Sequence, residues 1–302
     1  MAKYSEETLD NWRKPSSESE EQKISNAISM IKDAINAHEI LKPKSTEFII
    51  QGSYGNNTNI RIDSDIDVCV MLKDTFYTKY REGITREAYG FTEGSNSFSD
   101  YRKWIVEALN KKFGNENIDA TGNKSIKVHS NTYRVQADVV PAFQYRNYRF
   151  DKANNPDNYI EGIKFFSLKG EEVINYPKIH IENGITKNTN TGRSYKRAVR
   201  LYKRIRNKMI EDKLPVPDSI RSFLIEGLLW NTPDNIFNDA KTWNDLLRNS
   251  IVHIYNHTKD ETLSKDWCEV SERFYLFHNG RKWNREHVTN FLTQMWNYLE
   301  YK

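Results

Sequence analysis

Cysteine is the scarcest useful residue in this chain. Cys69 and Cys268 are the only two in 302 residues, which excludes a disulfide framework and a Cys-rich zinc site and fits a reducing compartment. Long apolar runs are missing as well. None reaches the roughly 18 residues of a membrane span, and the start MAKYSEETLDNW has no apolar h-region. The expectation is a cytoplasmic chain that does not enter a membrane. Charge of one sign is nearly balanced, at a formal +4, so bulk charge implies no nucleic-acid partner and the local distribution matters more. No internal repeat or low-complexity tract occurs. What is abundant is aromatic: 14 Phe, 17 Tyr and 7 Trp supply apolar area for a core, so the chain reads as globular rather than disordered. Its length allows one large domain or two modest lobes.

Along the chain, Ser17 with Glu20 predicts a capping box for a helix running to about Leu41. Ile24, Ile28, Ile31, Ile35 and His38 form its buried stripe, and Pro43 ends it. Glu47 to Gln51 reads as a short strand, Gly52-Ser53 as a turn, and Asp65 to Leu72 as a second strand. Tyr101 to Phe113 has helical spacing, with Gly114 as its stop. Ile126 to His129 and Tyr133 to Val140 read as strands joined by Ser130-Asn131-Thr132, the second ended by Pro141. The Asn-rich stretch 144–194 reads as an irregular seam. Beyond it the pattern is helical: Tyr195 to Met209, Ser219 to Trp230, Thr242 to His257 and Arg285 to Tyr301. The fold class expected is α+β. A lobe with a mixed sheet and a long N-terminal helix (1–150) packs on a helical lobe (151–302), with the active site in the cleft.

Residues 51–72, QGSYGNNTNIRIDSDIDVCVML, carry the chemistry. In a strand, residues two apart share a face, so Asp65 and Asp67 point together while Ile66 and Val68 point into the core. Asp63 has the same parity but precedes the strand. On the strand near 138, Gln136 and Asp138 share one face and Val135, Ala137 and Val139 the other. If the two strands are neighbours, three carboxylates converge, a patch that repels itself without cations. Hard oxygen donors suit Mg²⁺. Two such ions, roughly 3.5–4 Å apart, could activate a hydroxyl and clamp a transferring phosphoryl group. Upstream, Gly52 lets backbone approach a ligand closely, and Ser53 offers a hydroxyl and an N–H to phosphate.

Gly-Ser, then Asp-x-Asp in an apolar strand, then a third strand Asp about seventy residues on, resembles the polymerase-β nucleotidyltransferase superfamily. IDSDIDVCV, QADVVPAF, INYPKIHIENGITKN, TGRSYKRAVRLYKRIR and SFLIEGLLWNTP together are similar to the bacterial cyclic GMP–AMP synthase and DncV-like nucleotidyltransferases (CD-NTases) over about residues 15–300. The resemblance implies synthesis of cyclic di- or oligonucleotide second messengers in antiphage defence. It implies metal ligation by Asp65, Asp67 and Asp138, with two Mg²⁺ ions or Mn²⁺ in their place. It also implies Gly52 and Ser53 on the triphosphate, Lys203 on phosphate from the basic helix, Ser222 on phosphate and the Phe223 ring against a base. NTPs are the expected substrates, ATP among them, with room for regulatory protein partners.

The residues themselves support part of this. Eight basic residues lie between Arg193 and Lys208, and Lys196, Arg200 and Lys203 share one helical face. Facing the carboxylates, Lys203 and Lys196 would bind phosphate, whereas in isolation such a run reads as a solvated face. Ser222 reads equally as an N-cap, and Phe223 as core. Tyr176, His180, Asn183 and Asn190 lie where base edges could be read. His253 and His257, one turn apart, lack a carboxylate or cysteine partner for a metal. No Cys/His composition suggests a zinc insertion, so neither zinc nor activation by duplex DNA is expected. The competing readings are nucleotidyl transfer to an RNA, protein or small-molecule acceptor, and a catalytically silent RNA-binding module.

Overall fold

The computed structural model of the protein describes residues 2–15, 18–60 and 65–302. The expected cap Ser17 and the loop residue Asp63 fall outside them. In chain order come α1 (Glu6–Trp12), α2 (Glu18–Asn36), β1 (Thr46–Gln51), a four-residue helical turn α3 (Gly52–Gly55), β2 (Ile66–Lys79) and α4 (Phe98–Phe113). Strands β3 (Ile118–Asp119), β4 (Ile126–Val128), β5 (Ala137–Asn147), β6 (Ile160–Phe166) and β7 (Glu172–Asn175) follow. The remainder is helical: α5 (Pro177–Asn190), α6 (Ser194–Glu211), α7 (Ser222–Trp230), α8 (Asp234–Asn238), α9 (Trp243–Lys259), α10 (Glu261–Ser264) and α11 (Arg285–Tyr298).

These elements form two compact units. One comprises Ser17–Tyr54 and Asp63–Lys178, the other Met1–Ser16, Gly55–Ile62 and Ile179–Lys302. The first holds a mixed seven-stranded sheet in the order β1-β2-β5-β4-β3, with β6 pairing β5 and β7 pairing β6. β2 and β5 run parallel and the other pairs antiparallel. Alternation sorts each central strand onto two cores. Ile66, Val68, Val70 and Leu72 with Ala137, Val139 and Phe143 pack under Ile24, Ile31 and Ile35 of α2 and Ile105 and Leu109 of α4. Cys69 and Met71 with Val140 and Ala142 face the other way, against Ile49, Ile163 and Phe165.

Several sequence expectations need correction here. The helix expected to run from 17 to about 41 ends at Asn36, and His38 lies beyond it. The second strand of the hairpin begins at Ala137, not Tyr133, because Asn131 closes a turn first. Its Oδ1 accepts from the backbone N–H of Tyr133 and Arg134, both at 2.9 Å. Nor does Pro141 end that strand. The Ile66 amide donates to the Gln136 carbonyl, so even positions of β5 aim at β2 and odd ones away. β4 covers positions 137–139 and β6 covers 143–147. Pro141 falls in the gap, where its missing N–H deprives no partner.

The stretch 144–194 is ordered as well, holding the end of β5, then β6, β7 and α5. The sheet-bearing unit therefore runs to Lys178, past the expected division at 150. Helix α5 escaped detection because its buried positions include His180, Gly184 and Lys187, which carry no hydrophobic periodicity.

The helical unit packs α6, α7, α9 and α11 around Ala198, Tyr202, Ile205, Leu228, Ile251 and Phe291. Helix α1, not expected from the sequence, belongs to it. Leu9 is fully buried in this core. The Glu6 carboxylate accepts from the backbone N–H of Trp243 at 2.7 Å and of Asn244 at 2.9 Å, capping α9. Among the described residues, no helix is long and apolar enough to cross a membrane.

Candidate active site

In the sheet unit, Asp67 on β2 stands in register with Asp138 on β5. In-register residues of adjacent strands share a face at a backbone spacing of about 4.8 Å. The two strands are therefore neighbours, the condition on which the convergence of these carboxylates rests. Burial first, then the charges of Asp138 and Asp65, push the Asp67 pKa up to about 7. Asp138 is also raised. Burial lifts it, Lys127 pulls it down, and Asp65 lifts it again.

Lys127 was not anticipated from the sequence. It lies on β4 in register with Asp138, and its Nζ sits 3.8 Å from Asp65 Oδ2. Asp65 thus pairs with a lysine. Among the described residues, no three His, Cys, Asp or Glu side chains already converge at metal-holding spacing.

Two observations show that a cation fits. Asp138 Oδ1 is buried without a hydrogen-bond partner among the described residues, a costly state for a carboxylate oxygen unless a positive charge meets it. Gly52, directly after β1, has φ +66°, and a Cβ there would overlap Asp67 Oδ2. Glycine thus leaves the space that the carboxylate occupies. Ser53 follows as the second residue of α3. The donor set is all carboxylate, which suits Mg²⁺ or Mn²⁺.

The helical unit holds the other expected residues, and it divides the basic stripe of α6 three ways. Lys203 is 1% exposed. Its Nζ donates to Glu226 Oε1 at 2.7 Å and to Thr58 Oγ1 at 3.0 Å, so it is neither solvated nor open. Burial lowers its pKa, and Glu226 pulls it back up. Burial would raise Glu226, but Lys203 and His180 hold it down to about 2. Arg200 donates to the carbonyls of Arg13 and Asn57, each at 2.6 Å. Lys196 is 7% exposed. Burial lowers its pKa, and its Nζ has no hydrogen-bond partner among the described residues.

Ser222 opens α7 as its first residue. The N-cap is Arg221, so the capping reading of Ser222 is overturned. Phe223 is 37% exposed, its ring 5.7 Å from His180 and 6.2 Å from Trp283.

The expected base readers are engaged in packing. Asn183 donates to the Val270 carbonyl at 2.8 Å, the Asn190 carbonyl accepts from Asn238, and Tyr176 OH accepts from Asn147 at 3.1 Å. His253 and His257 stack on each other and on Trp267.

Comparison with known proteins gives this geometry its context. Residues 6–162 match the family model of the Second Messenger Oligonucleotide or Dinucleotide Synthetase domain, and residues 182–300 that of the cGAS/DncV-like nucleotidyltransferase C-terminal helical domain. The chain belongs to the cGAS/DncV-like nucleotidyltransferases. As a member of this family it is an enzyme, a nucleotidyltransferase of cyclic nucleotide second-messenger synthesis.

It is 45% identical to the cyclic dipyrimidine nucleotide synthase CdnE of Cecembia lonarensis, over 100% of both chains. Against the synthase of the same name from Legionella pneumophila it is 37% identical, over 98% of both. Two solved structures share its fold. The Elizabethkingia meningoseptica CdnE cyclic dinucleotide synthase with GTP and Apcpp is 33% identical, with a TM-score of 0.81, covering 99% of this chain and 100% of that one. The Rhodothermus marinus CdnE c-UMP-AMP synthase with Apcpp and Upnpp is 31% identical, with a TM-score of 0.84, covering 97% and 95%.

Proposed function

We propose that the chain binds two nucleoside triphosphates and joins the 2′- or 3′-hydroxyl of one to the α-phosphorus of the other. A second displacement closes the ring, and pyrophosphate leaves each time. The observation that carries this reading is the in-register pair Asp67 and Asp138, with Gly52 clearing the space beside it. Asp65, Asp67 and Asp138 would hold two divalent cations, Mg²⁺ or Mn²⁺. Such ions supply neutralisation of phosphate charge and acidify the attacking hydroxyl.

Asp138 orients that hydroxyl and accepts its proton. The Gly52–Ser53 turn offers its backbone N–H and a hydroxyl to the triphosphate. Lys196, whose ammonium meets no hydrogen-bond partner among the described residues, binds phosphate. Lys203 acts through the segment it holds, since Glu226 and Thr58 already occupy its ammonium. Ser222 contacts phosphate and Phe223 backs a base.

Base choice is the finer question. Adenine is the expectation from family resemblance, but the relatives at 45% and 37% identity are named for dipyrimidine products. We therefore favour UTP or CTP as substrates, with ATP as the competitor. Antiphage signalling is the proposed setting. A messenger made from ubiquitous NTPs needs a switch, so a regulatory partner is part of the proposal.

The test incubates pure protein with Mg²⁺ and labelled NTPs, singly and in pairs, then adds phosphatase. A phosphatase-resistant product from NTPs alone is expected, strongest with pyrimidines. Label appearing only when RNA, protein or a small acceptor is added would replace this reading with the acceptor-transfer one.

A further inference from the structure

Glu226 sits in none of the roles above, yet it is the hub of a buried polar cluster in the helical unit. It is 3% exposed on α7. Its Oε1 accepts from Lys203 Nζ at 2.7 Å and from Thr58 Oγ1 at 2.5 Å. Its Oε2 meets His180 Nε2 at 3.1 Å and accepts from Asn56 Nδ2 at 3.4 Å. Lys203 also donates to Thr58 Oγ1 at 3.0 Å, so ammonium, carboxylate and hydroxyl close a triangle, and it reaches the Thr58 carbonyl at 3.2 Å.

We infer that Glu226 is a positioning residue for nucleotide binding, acting through two groups that its opposite oxygens hold. One is the segment Asn56–Thr58, which begins three residues after Ser53. The other is His180, whose ring lies against Phe223. The inference rests on the reading of Ser53 and Phe223 as nucleotide contacts.

Stability alone does not explain such a cluster. Removing two charges from water costs several kcal/mol per ion, and apolar side chains of similar volume often serve a fold as well or better. What the charged pair adds is selection of a single arrangement. Only one placement of Thr58 satisfies Lys203 and Glu226 together, and only one ring position satisfies His180. A nucleotide-binding segment held this way loses affinity when its anchor slips.

The test uses the full chain with two variants. Lys203→Met with Glu226→Gln removes both charges, keeps the volume, and leaves an amide to bond Thr58. Thr58→Val keeps the ion pair but removes the two hydroxyl bonds that tie the segment to it. Both should unfold cooperatively near the wild-type midpoint. Both should also raise the KM for NTP at least about tenfold, with kcat less affected. The double variant should in addition shift the ratio of kcat/KM between purine and pyrimidine NTPs, because His180 no longer meets a charge.

Binding of a non-hydrolysable NTP analogue with Mg²⁺ reads the same loss without turnover. Folded variants with wild-type KM, analogue affinity and base ratio overturn the inference. A wild-type protein that binds the analogue but forms no product overturns the proposed function instead, and the binding measurement still decides on Glu226. Should the double variant not fold, Thr58→Val alone decides it, wild-type affinity sinking the idea.

Discussion

Gly52 is where one side chain's absence matters most. At φ +66° any L-residue is strained by about 1–2 kcal/mol, and the Cβ of alanine would strike Asp67 Oδ2. Gly52→Ala should therefore lose product formation by at least about a hundredfold. Gly83→Ala is the control. Gly83 has φ +73° with no atom near its missing Cβ, so it should suffer a similar drop in denaturant midpoint and keep its activity.

Asp67 itself makes a pH prediction. Its folded pKa is about 7, above the ordinary carboxylate near 3.9. A raised acid holds its proton more tightly when folded, so in the metal-free protein its contribution to stability is fully present below about pH 4. It is lost as pH rises through 7. Thermal unfolding in EDTA at pH 5 and pH 8 should show this fall. Asp67→Asn should abolish it, raise the midpoint at pH 8 and leave no synthase activity. A fall of the same size in the variant would remove Asp67 as its cause.

Among the elements, α6 separates what charge periodicity can and cannot say. Lys196, Arg200 and Lys203 do share a face, but all three are buried and only Lys196 lacks a hydrogen-bond partner at its charged end among the described residues. A charge-assisted phosphate contact contributes about 1.5–3 kcal/mol. Lys196→Ala should raise the KM for NTP by roughly ten- to a hundredfold, whereas Arg197→Ala, on a flanking position, should change it less than about twofold. Steady-state kinetics on the two variants checks the difference. Similar small effects in both would return the helix to a structural role. Strand β5 teaches the same lesson in reverse. Pro141 read as a terminator, yet β4 and β6 leave a gap opposite it, a fact no local pattern carries.

At the scale of the whole molecule, the chain threads both units more than once. The helical unit takes α1 from the N-terminus and residues 55–62 from the middle. Leu9 fills its core, Glu6 caps α9, and Thr58 completes the Lys203–Glu226 triangle. A fragment of residues 179–302 lacks all three, leaving Lys203 and Glu226 without Thr58 and Asn56. Expressed alone, it should show no cooperative thermal transition by circular dichroism, while the full chain does. A cooperative transition in the fragment would show that these contacts are dispensable.

The sequence alone determined what alternation and spacing can carry. Period-two patterning separated Asp65 and Asp67 from Ile66 and Val68, and apolar spacing located α4, α6 and α9. The order of Gly52-Ser53, Asp65-x-Asp67 and Asp138 resembles that of polymerase-β nucleotidyltransferases. Tertiary structure decided the rest, because it depends on partners distant in the chain. Register made Asp67 and Asp138 neighbours and put Lys127 beside Asp65. Burial turned Lys203 from a phosphate cation into the partner of Glu226. Helix α5 buries a histidine, a glycine and a lysine, and His180 and Lys187 meet Glu226 and Asp234, distant partners that periodicity cannot register.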